Sequence, residues 1–451
     1  MLSNLHLAIC GHAKHGKSTL AGRLAYEFNA ISPSQLEAME SEAREKGKDF
    51  NKFNLVFLRH RTDTFTRGEQ NELDDPSRTN FPARASINLD RVRLTLIDTP
   101  GYPRFVNNIV YGIFLADRVI VAVDMKKGVN IGTESICRIT KAFEVPILAF
   151  CVTKVDEYSK EARQAAFESI CEQITGRLIG PFGLREDTPI LPISALADSG
   201  ITGSFETSLT PWYGGPDLTS LLRSTAEVEG EASGSQIRFT IEGGREILSP
   251  PGVGTVLVGT LESGTLRAGD RLLAEPVSTI GNREVCANVR SLHLAKGVTE
   301  GKSEQVEEAK ARTILSLNVP NWKDLKEVRS AFRNGGVLGQ VTQRPRVARE
   351  IEASIVFFEP DIVYSGKEYR LHPHVAQTTA RIQTILSKDH FQVDLRDDEY
   401  IPNTGEIVEA RVALHTPCCI EERADFPRLA NFVLRENNRI IGCGKCLRIL
   451  A

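Results

Sequence analysis

The sequence lacks the features that would place it in a membrane or make it a disulfide scaffold, and its bulk charge does not tie it to a nucleic acid. Its longest apolar stretch, Ile109 to Val123, is broken by Asp117 and Arg118, and is too short and too charged to cross a bilayer. The formal net charge is only −3. There is thus no global pull toward polyanions; an RNA partner would need a local basic patch, and no DNA partner is expected. The nine cysteines are an odd number scattered from Cys10 to Cys446, the usage of a reducing compartment and not of a disulfide framework. Residues Met1 to Leu7 carry no basic segment and no long apolar run, so no secretory leader is expected. A cytoplasmic location is the resulting expectation.

What is present is enough chain for several cores. At 451 residues, two to four domains are expected, and 41 % hydrophobic with 25 % charged residues is ordinary for a globular protein. In the first half, short β-like runs alternate with helical patterns. Leu5 to Cys10, Val92 to Ile97, Val119 to Val123 and Ile147 to Val152 read as strands; the stretch from Lys17 and the segments Ser34 to Lys46 and Glu161 to Ile174 read as helices. That alternation predicts a mostly parallel sheet covered by helices on both faces. The acidic, small-residue run Glu227 to Ser235 reads as a linker, and beyond it come short β-like runs punctuated by glycine, predicting two all-β barrels. A second break falls at Arg344-Pro345-Arg346. The domains expected are therefore 1–228, 236–342 and 348–451. The charged run Lys296 to Arg312 reads as a solvated surface insertion.

Gly11-His12-Ala13-Lys14-His15-Gly16-Lys17-Ser18 matches G-x-x-x-x-G-K-[ST], after a strand and before a helix. Its glycines let backbone N–H groups turn inward around phosphates, and the helix N-terminus adds partial positive charge. Lys17 would neutralise the β- and γ-phosphates, and Ser18 would hold Mg²⁺. Three later elements point to guanine. Asp98-Thr99-Pro100-Gly101 has the form D-x-x-G: Asp98 would reach Mg²⁺ through water, and the Gly101 N–H would contact the γ-phosphate, making the segment after Gly101 a nucleotide-dependent switch. Thr153-Lys154-Val155-Asp156 is similar to N-K-x-D. The Asp156 carboxylate can accept from guanine's ring N–H and exocyclic amine, and the Lys154 stem can lie along the base. Ser194-Ala195-Leu196 follows the strand-like Ile190 to Ile193, where a backbone N–H would meet guanine O6. Each short match is weak alone; together, in this order and at strand ends, they are specific for GTP/GDP with Mg²⁺.

With Thr19 added, Gly11-His12-x-x-His15-Gly16-Lys17-Ser18-Thr19 resembles the translational GTPases, above all elongation factor 1-alpha and elongation factor Tu. Pro211-Trp212-Tyr213-Gly214-Gly215-Pro216 resembles the end of the archaeal elongation factor 1-alpha G domain, and also the GTP-binding subunit of sulfate adenylyltransferase. Gly252-Val253-Gly254-Thr255-Val256 with Gly259, Glu262-Ser263-Gly264 and Gly269 resembles the second domain of elongation factor 1-alpha, and Thr404 through Gly442 its third. The resemblance implies a G domain followed by two barrels, and a switch that carries tRNA or a protein cargo to the ribosome. Two further readings stand beside it: a regulatory GTPase subunit of a metabolic enzyme, as in sulfate activation, and a GTP-dependent scaffold that hydrolyses little.

The chain departs from that pattern in four places. Tyr102 stands where the family has a water-orienting His. A phenol can hydrogen-bond a water but does not take up an extra proton as an imidazole does, which implies slow or absent hydrolysis with Tyr102 the candidate catalytic group beside Lys17 and Lys14; alternatively, Tyr102 points into an apolar gate and another residue handles the water. Lys14 replaces the family's Asp, reversing the charge beside the phosphates; its ammonium would stand where a monovalent cation binds, or point to solvent. Arg67-Gly68 is followed by Glu69-Gln70 with no Thr. Counting back from Asp98 by the family's separation, 98 − 79 = 19, reaches Thr79 as the Mg²⁺ ligand, with Thr66 the alternative and residues 69–78 an insertion. Thr153 in place of Asn is expected to lower base affinity. Finally, Cys443-Gly444-Lys445-Cys446 falls on an expected last strand, so its cysteines read as buried core residues and not as zinc or redox ligands. His372-Pro373-His374 reads as a surface loop, and no metal beyond Mg²⁺ is expected.

Overall fold

The structure is a computed structural model of the chain. It describes all residues except 1–2, 46–51, 55, 58–81, 91, 204–208, 227–233, 242–246, 249–253, 278, 281–282, 295–303, 321, 323–331, 333–334, 359–362, 365, 375, 389–390, 393–398, 401–405 and 438. These residues fall into two compact units, one from 1–230 and one from 231–295 and 302–451.

The first unit is a six-stranded sheet in the order β2-β3-β1-β4-β5-β6. The strands are β1 (Ser3–Cys10), β2 (Ala83–Leu89), β3 (Val92–Asp98), β4 (Arg118–Asp124), β5 (Ile147–Thr153) and β6 (Ile190–Ile193). All neighbours pair in parallel except β2, which runs antiparallel to β3 at the edge. The inner strands are apolar on both sides, as a sheet covered on both faces requires: β4 reads Arg-Val-Ile-Val-Ala-Val-Asp, buried from Val119 onward. Helices α1 (Lys17–Glu27), α2 (Pro33–Glu45), α3 (Val106–Leu115), α4 (Ile131–Ala142), α5 (Lys160–Ile174) and α6 (Leu218–Ala226) do the covering. One apolar cluster joins Leu5, Leu7 and Ile9 of β1 to Leu20 and Leu24 of α1, Leu36 and Met39 of α2, and Leu218 and Leu222 of α6. Outside that cluster, α3 packs on β1 and α4 on β4.

Parallel pairing has a direct functional consequence. The C-terminal ends of β1, β3, β4, β5 and β6, namely Cys10, Asp98, Asp124, Thr153 and Ile193, lie along one edge of the sheet. The segments that leave them are the place where an open α/β sheet binds ligands.

Among its described residues, the second unit is all β apart from a single helical turn at Pro427–Ala430. Its first sheet runs through strands Arg238–Ile241, Val256–Ser263, Thr313–Asn318 and Gly336–Gln340, around a core of Phe239, Leu257, Leu315, Leu317 and the stacked pair Trp322 and Phe332. The second sheet closes on itself. Strand Glu368–Pro373 pairs with both Asn431–Glu436 and Thr378–Lys388, and the ring is completed by Arg439–Ile449, Val347–Phe357 and Ile407–Cys419. Inside lie Ile351, Ile355, Phe357, Leu371, Val412, Phe432 and Cys446.

Two expectations are corrected here. Of the charged run Lys296 to Arg312, the described part is sheet: Glu304–Val306 pairs with Ser291–Leu294, and Glu308–Lys310 with Thr265–Arg267. The alternation of charge along the run, which suggested solvation, is the alternation of a strand with one wet face. His372-Pro373-His374 is likewise not a surface loop. It ends strand Glu368–Pro373, both histidines are buried, and His374 Nε2 lies 2.7 Å from the Cys419 carbonyl. Proline is tolerated there because the strand stops. Cys443 and Cys446 are buried within strand Arg439–Ile449, and burial pushes the Cys446 thiol up to about 12. Among the described residues there is no cluster of three or more metal-ligating side chains, and no helix is long and apolar enough to cross a membrane.

Candidate functional site

The Gly11–Ser18 loop leaves β1 and enters α1 under tight constraints. A Cβ on Gly11 would lie 2.5 Å from the Ala122 carbonyl oxygen of β4. Gly16 holds φ +80° directly before the helix, a conformation that L side chains rarely adopt. The loop is tied down from the sheet side by Thr153, whose hydroxyl donates to the His15 carbonyl at 3.0 Å. Lys17 is buried and its ammonium folds back to the His12 carbonyl at 2.9 Å.

His15 is fully buried beneath the loop. Asn130 caps α4 by accepting the Thr133 N–H on Oδ1 at 3.1 Å, which turns its amide NH₂ toward His15 Nε2 at 3.3 Å. On the other side of the ring, His15 Nδ1 lies 3.3 Å from both the Ala122 carbonyl oxygen and the Asp124 backbone nitrogen. Burial, and then the Lys17 charge, lower the His15 pKa to about 4, so the ring is neutral. His12 stands edge-on to it, with ring centroids 5.4 Å apart; its pKa is also lowered, by burial and then by Lys17. The loop therefore keeps its positive charge on lysines and backbone N–H groups, and not on imidazolium.

Opposite this loop stands the end of β3. The Ser18 hydroxyl donates to Asp98 Oδ2 at 2.7 Å, and Asp98 is fully buried. Gly101 presses against the loop: a Cβ there would lie 2.4 Å from Lys17 Nζ and 2.7 Å from the Ala13 nitrogen. Between them is a cavity of ≈ 290 Å³ lined by Ala13, Lys14, Gly16, Lys17, Ser18, Thr19, Asn54, Gly101, Tyr102 and Lys154. A neighbouring hydroxyl and carboxylate are the hard oxygen donors that Mg²⁺ takes, so Ser18 and Asp98 fit that ion.

The other side of the site leaves β5 and β6. Lys154 has a left-handed backbone, φ +64°, and its ammonium reaches Asp124 Oδ2 at 2.6 Å. Asp156 follows on the short turn Val155–Glu157, exposed and with no partner among the described residues. That turn is clamped from behind by Arg163 of α5, which donates to the carbonyls of Val155, Tyr158 and Leu209, each at 2.8 Å. After β6, Ser194 is buried, its hydroxyl accepts the Ala197 N–H at 3.1 Å, and Leu196 is 54 % exposed. Arg23 of α1 pins this turn through Asp198 at 2.9 Å. Trp212 and Tyr213 pack on Phe167 of α5, with centroids 5.2 and 6.0 Å away.

A model of the elongation factor Tu GTP-binding domain matches residues 3–249, more than half of the chain. This protein is a translational GTPase. The eEF1A C-terminal domain-like model matches residues 350–447. Elongation factor 1-alpha of Picrophilus torridus is 27 % identical over 451 residues, 98 % of this chain and 97 % of that one. The same factor of Pyrococcus woesei is 29 % identical over 463 residues, covering 99 % and 97 %. Among solved structures, the S. cerevisiae Ski7 GTPase-like domain bound to GTP superposes with TM-score 0.77 at 18 % identity, covering 99 % of this chain and 97 % of that one. The bacterial selenocysteine-specific elongation factor gives 0.65 at 19 %, covering 100 % and 59 %. At these identities the structural likeness speaks for the fold.

The translational GTPase site thus gathers the loop residues Gly11 to Thr19 with Asp98, Gly101 and Tyr102, and brings Lys154 into the same cavity wall. Asp156, Ser194, Ala195 and Leu196 stand on the same sheet edge but do not line the cavity. Thr79, Thr66 and residues 69–78 lie outside the described residues. Tyr102 lines the cavity, and its ring carries the Arg104 guanidinium 5.7 Å from the centroid. Lys14 lines it too, exposed and with φ +65°. Three participants escaped the sequence: Asn54, Asp124 and Asn130. Asn54 is carried in by Phe53, which packs on Gly22 so closely that a Cβ there would lie 1.9 Å from the Phe53 carbonyl oxygen. No local motif announces such a contact. Asp124 had a signal, a lone carboxylate closing an apolar strand on the ligand edge.

Proposed function

We propose that this translational GTPase binds GTP and GDP with Mg²⁺, hydrolyses GTP slowly, and serves as an elongation-factor-like switch that carries tRNA or a protein cargo to the ribosome. The observation that carries the reading is the convergence of Lys17, the Ser18–Asp98 pair and Gly101 on one cavity whose far wall is Lys154. Lys17 would neutralise the β- and γ-phosphates while loop N–H groups hold their oxygens. Ser18 would hold the ion directly and Asp98 through water; the ion, when bound, neutralises charge on the transferring phosphate. Asp156 would accept from guanine's two N–H donors, and the Ser194 to Leu196 turn would present a backbone N–H to O6. The elongation factor 1-alpha relatives, matched nearly end to end, support the translational role. Capture of tRNA, ribosomes or a protein on immobilised protein with a GTP analogue, and its loss with GDP, is the expected result; equal capture in both states rejects the switch.

Tyr102 and Lys14 favour a second reading, a GTP-dependent scaffold that hydrolyses little. Tyr102 would position a water without taking its proton, and Lys14 would supply a built-in cation beside the phosphates. Steady-state GTP turnover, measured across potassium concentrations, tests both. Tyr102→His is expected to turn over about 10²-fold faster than wild type, and Lys14→Asp to make turnover depend on potassium. A fast wild-type rate sinks the slow-hydrolysis reading, and an unchanged salt response sinks the role of Lys14.

A further inference from the structure

Asp124 closes β4 with a side chain that is only 2 % exposed. Its carboxylate is fully used. Oδ1 accepts the N–H groups of Lys126 at 2.9 Å and Lys127 at 3.2 Å, and Oδ2 accepts the Lys154 ammonium at 2.6 Å with Lys127 Nζ at 4.0 Å. Burial pushes its pKa up, but the Lys154 hydrogen bond and charge and the two backbone N–H groups outweigh this, leaving it below the usual carboxylate range. Lys154, held by this carboxylate, has a left-handed backbone that a non-glycine residue adopts rarely and at a cost. It also lines the cavity. A free lysine on a turn at this edge would swing into solvent. Here both ends of the side chain are fixed, Cα by the turn and Nζ by Asp124, so the four-carbon stem between them has one course, along the cavity wall.

We propose that Asp124 is a positioning residue for base recognition: by clasping the Lys154 ammonium it stretches the lysine stem into a fixed apolar platform for the guanine ring, without touching the nucleotide. This rests on the guanine reading of the site. The same carboxylate orders Lys126 and Lys127, at the start of the connection that reaches Asn130 and hence His15, so the base platform and the floor of the phosphate loop share one strand end.

Calorimetric titration of the full chain with GDP and, separately, with inorganic pyrophosphate in magnesium buffer tests the idea. Asp124→Asn keeps the shape and removes the charge; Lys154→Met keeps an apolar stem and removes the ammonium. Each alone leaves a buried group without its partner. Each single variant is expected to weaken GDP by more than about tenfold while pyrophosphate affinity stays within about twofold, because only the base platform is lost. The double variant, in which the clasp is gone just as in each single, is expected to lose GDP affinity by about as much as either single variant, more than about tenfold, with pyrophosphate again within about twofold. If either single variant fails to fold, the double variant against wild type decides on the same criterion. Losses that add in the double variant, or that fall equally on pyrophosphate, overturn the clasp while leaving the nucleotide site intact. Failure of the wild type to bind GDP overturns both.

Discussion

The two ends of this pocket are built on opposite plans. The phosphate end is made of main chain: two glycines, a helix start, and a lysine that folds back on a carbonyl, with a buried neutral histidine, His15, beneath. It presents a concavity lined by the loop and its lysines. The base end is made of side chains on turns. It holds one clasped ion pair, Lys154–Asp124, beside an exposed carboxylate, Asp156, and an exposed Leu196. The first plan supplies affinity for any polyphosphate and the second supplies the choice of base, so the two should fail separately.

The largest effect is expected at Lys17. Lys17→Met keeps the bulk and removes the only buried cation of the loop; GTP and pyrophosphate affinity should both drop by more than about 10²-fold, since a charge-assisted contact to phosphate is lost. Survival of pyrophosphate binding would mean that main chain alone makes the phosphate end. Next is Asp156→Asn, which should weaken GDP by about 10- to 100-fold and favour xanthosine diphosphate, whose C2 carbonyl accepts where guanine donates. Pyrophosphate should not respond. An unchanged base preference would remove Asp156 from recognition. The smallest effect separates the ends by pH. His15 has its pKa lowered from 6.5 to about 4 in the folded chain. Between those values the unfolded chain takes up a proton that the buried ring refuses, so stability is lost as pH falls through this window, about 2 kcal/mol by pH 5. Asp124, held below its usual range, is ionised throughout and gives the base end no such response. Melting of wild type against His15→Gln at pH 7 and pH 5 should show the larger acid loss in the wild type; parallel losses would discard the neutral imidazole.

The sheet of the first unit was legible because its inner strands are apolar on both sides and three of them, β1, β3 and β5, run into a motif. β2, Ala83 to Leu89, was not: as an edge strand it alternates small, polar and apolar residues and carries no long apolar run. In the second unit, Glu304 to Lys310 is largely exposed, as its charge implied, and what the sequence did not show was its strand pairing; His372 to His374 was misread because polarity was taken for solvent exposure, whereas histidines bury when neutral. His372 illustrates the last point, its pKa pushed to about 3 by burial and then by Arg435 and Arg370. In the site, the motif gave the phosphate end almost whole, because glycines and Lys17 are dictated by local geometry. Thr153 was read as a weakened base reader. Its hydroxyl instead donates to the phosphate loop, a connection across 138 positions that local spacing does not encode. The same holds for Asn130 and Asp124, whose partners lie 115 and 30 positions away.

The closed ring of six strands in the second unit restricts how other molecules can be recognised there. Each long strand already spends its hydrogen-bonding edges on two neighbours, because Glu368–Pro373 joins the ends of the ring. A partner cannot extend such a wall by laying a strand of its own alongside. Whatever docks on that barrel must be read through side chains and connecting loops, so changes of partner can proceed by surface substitution while the wall stays as it is.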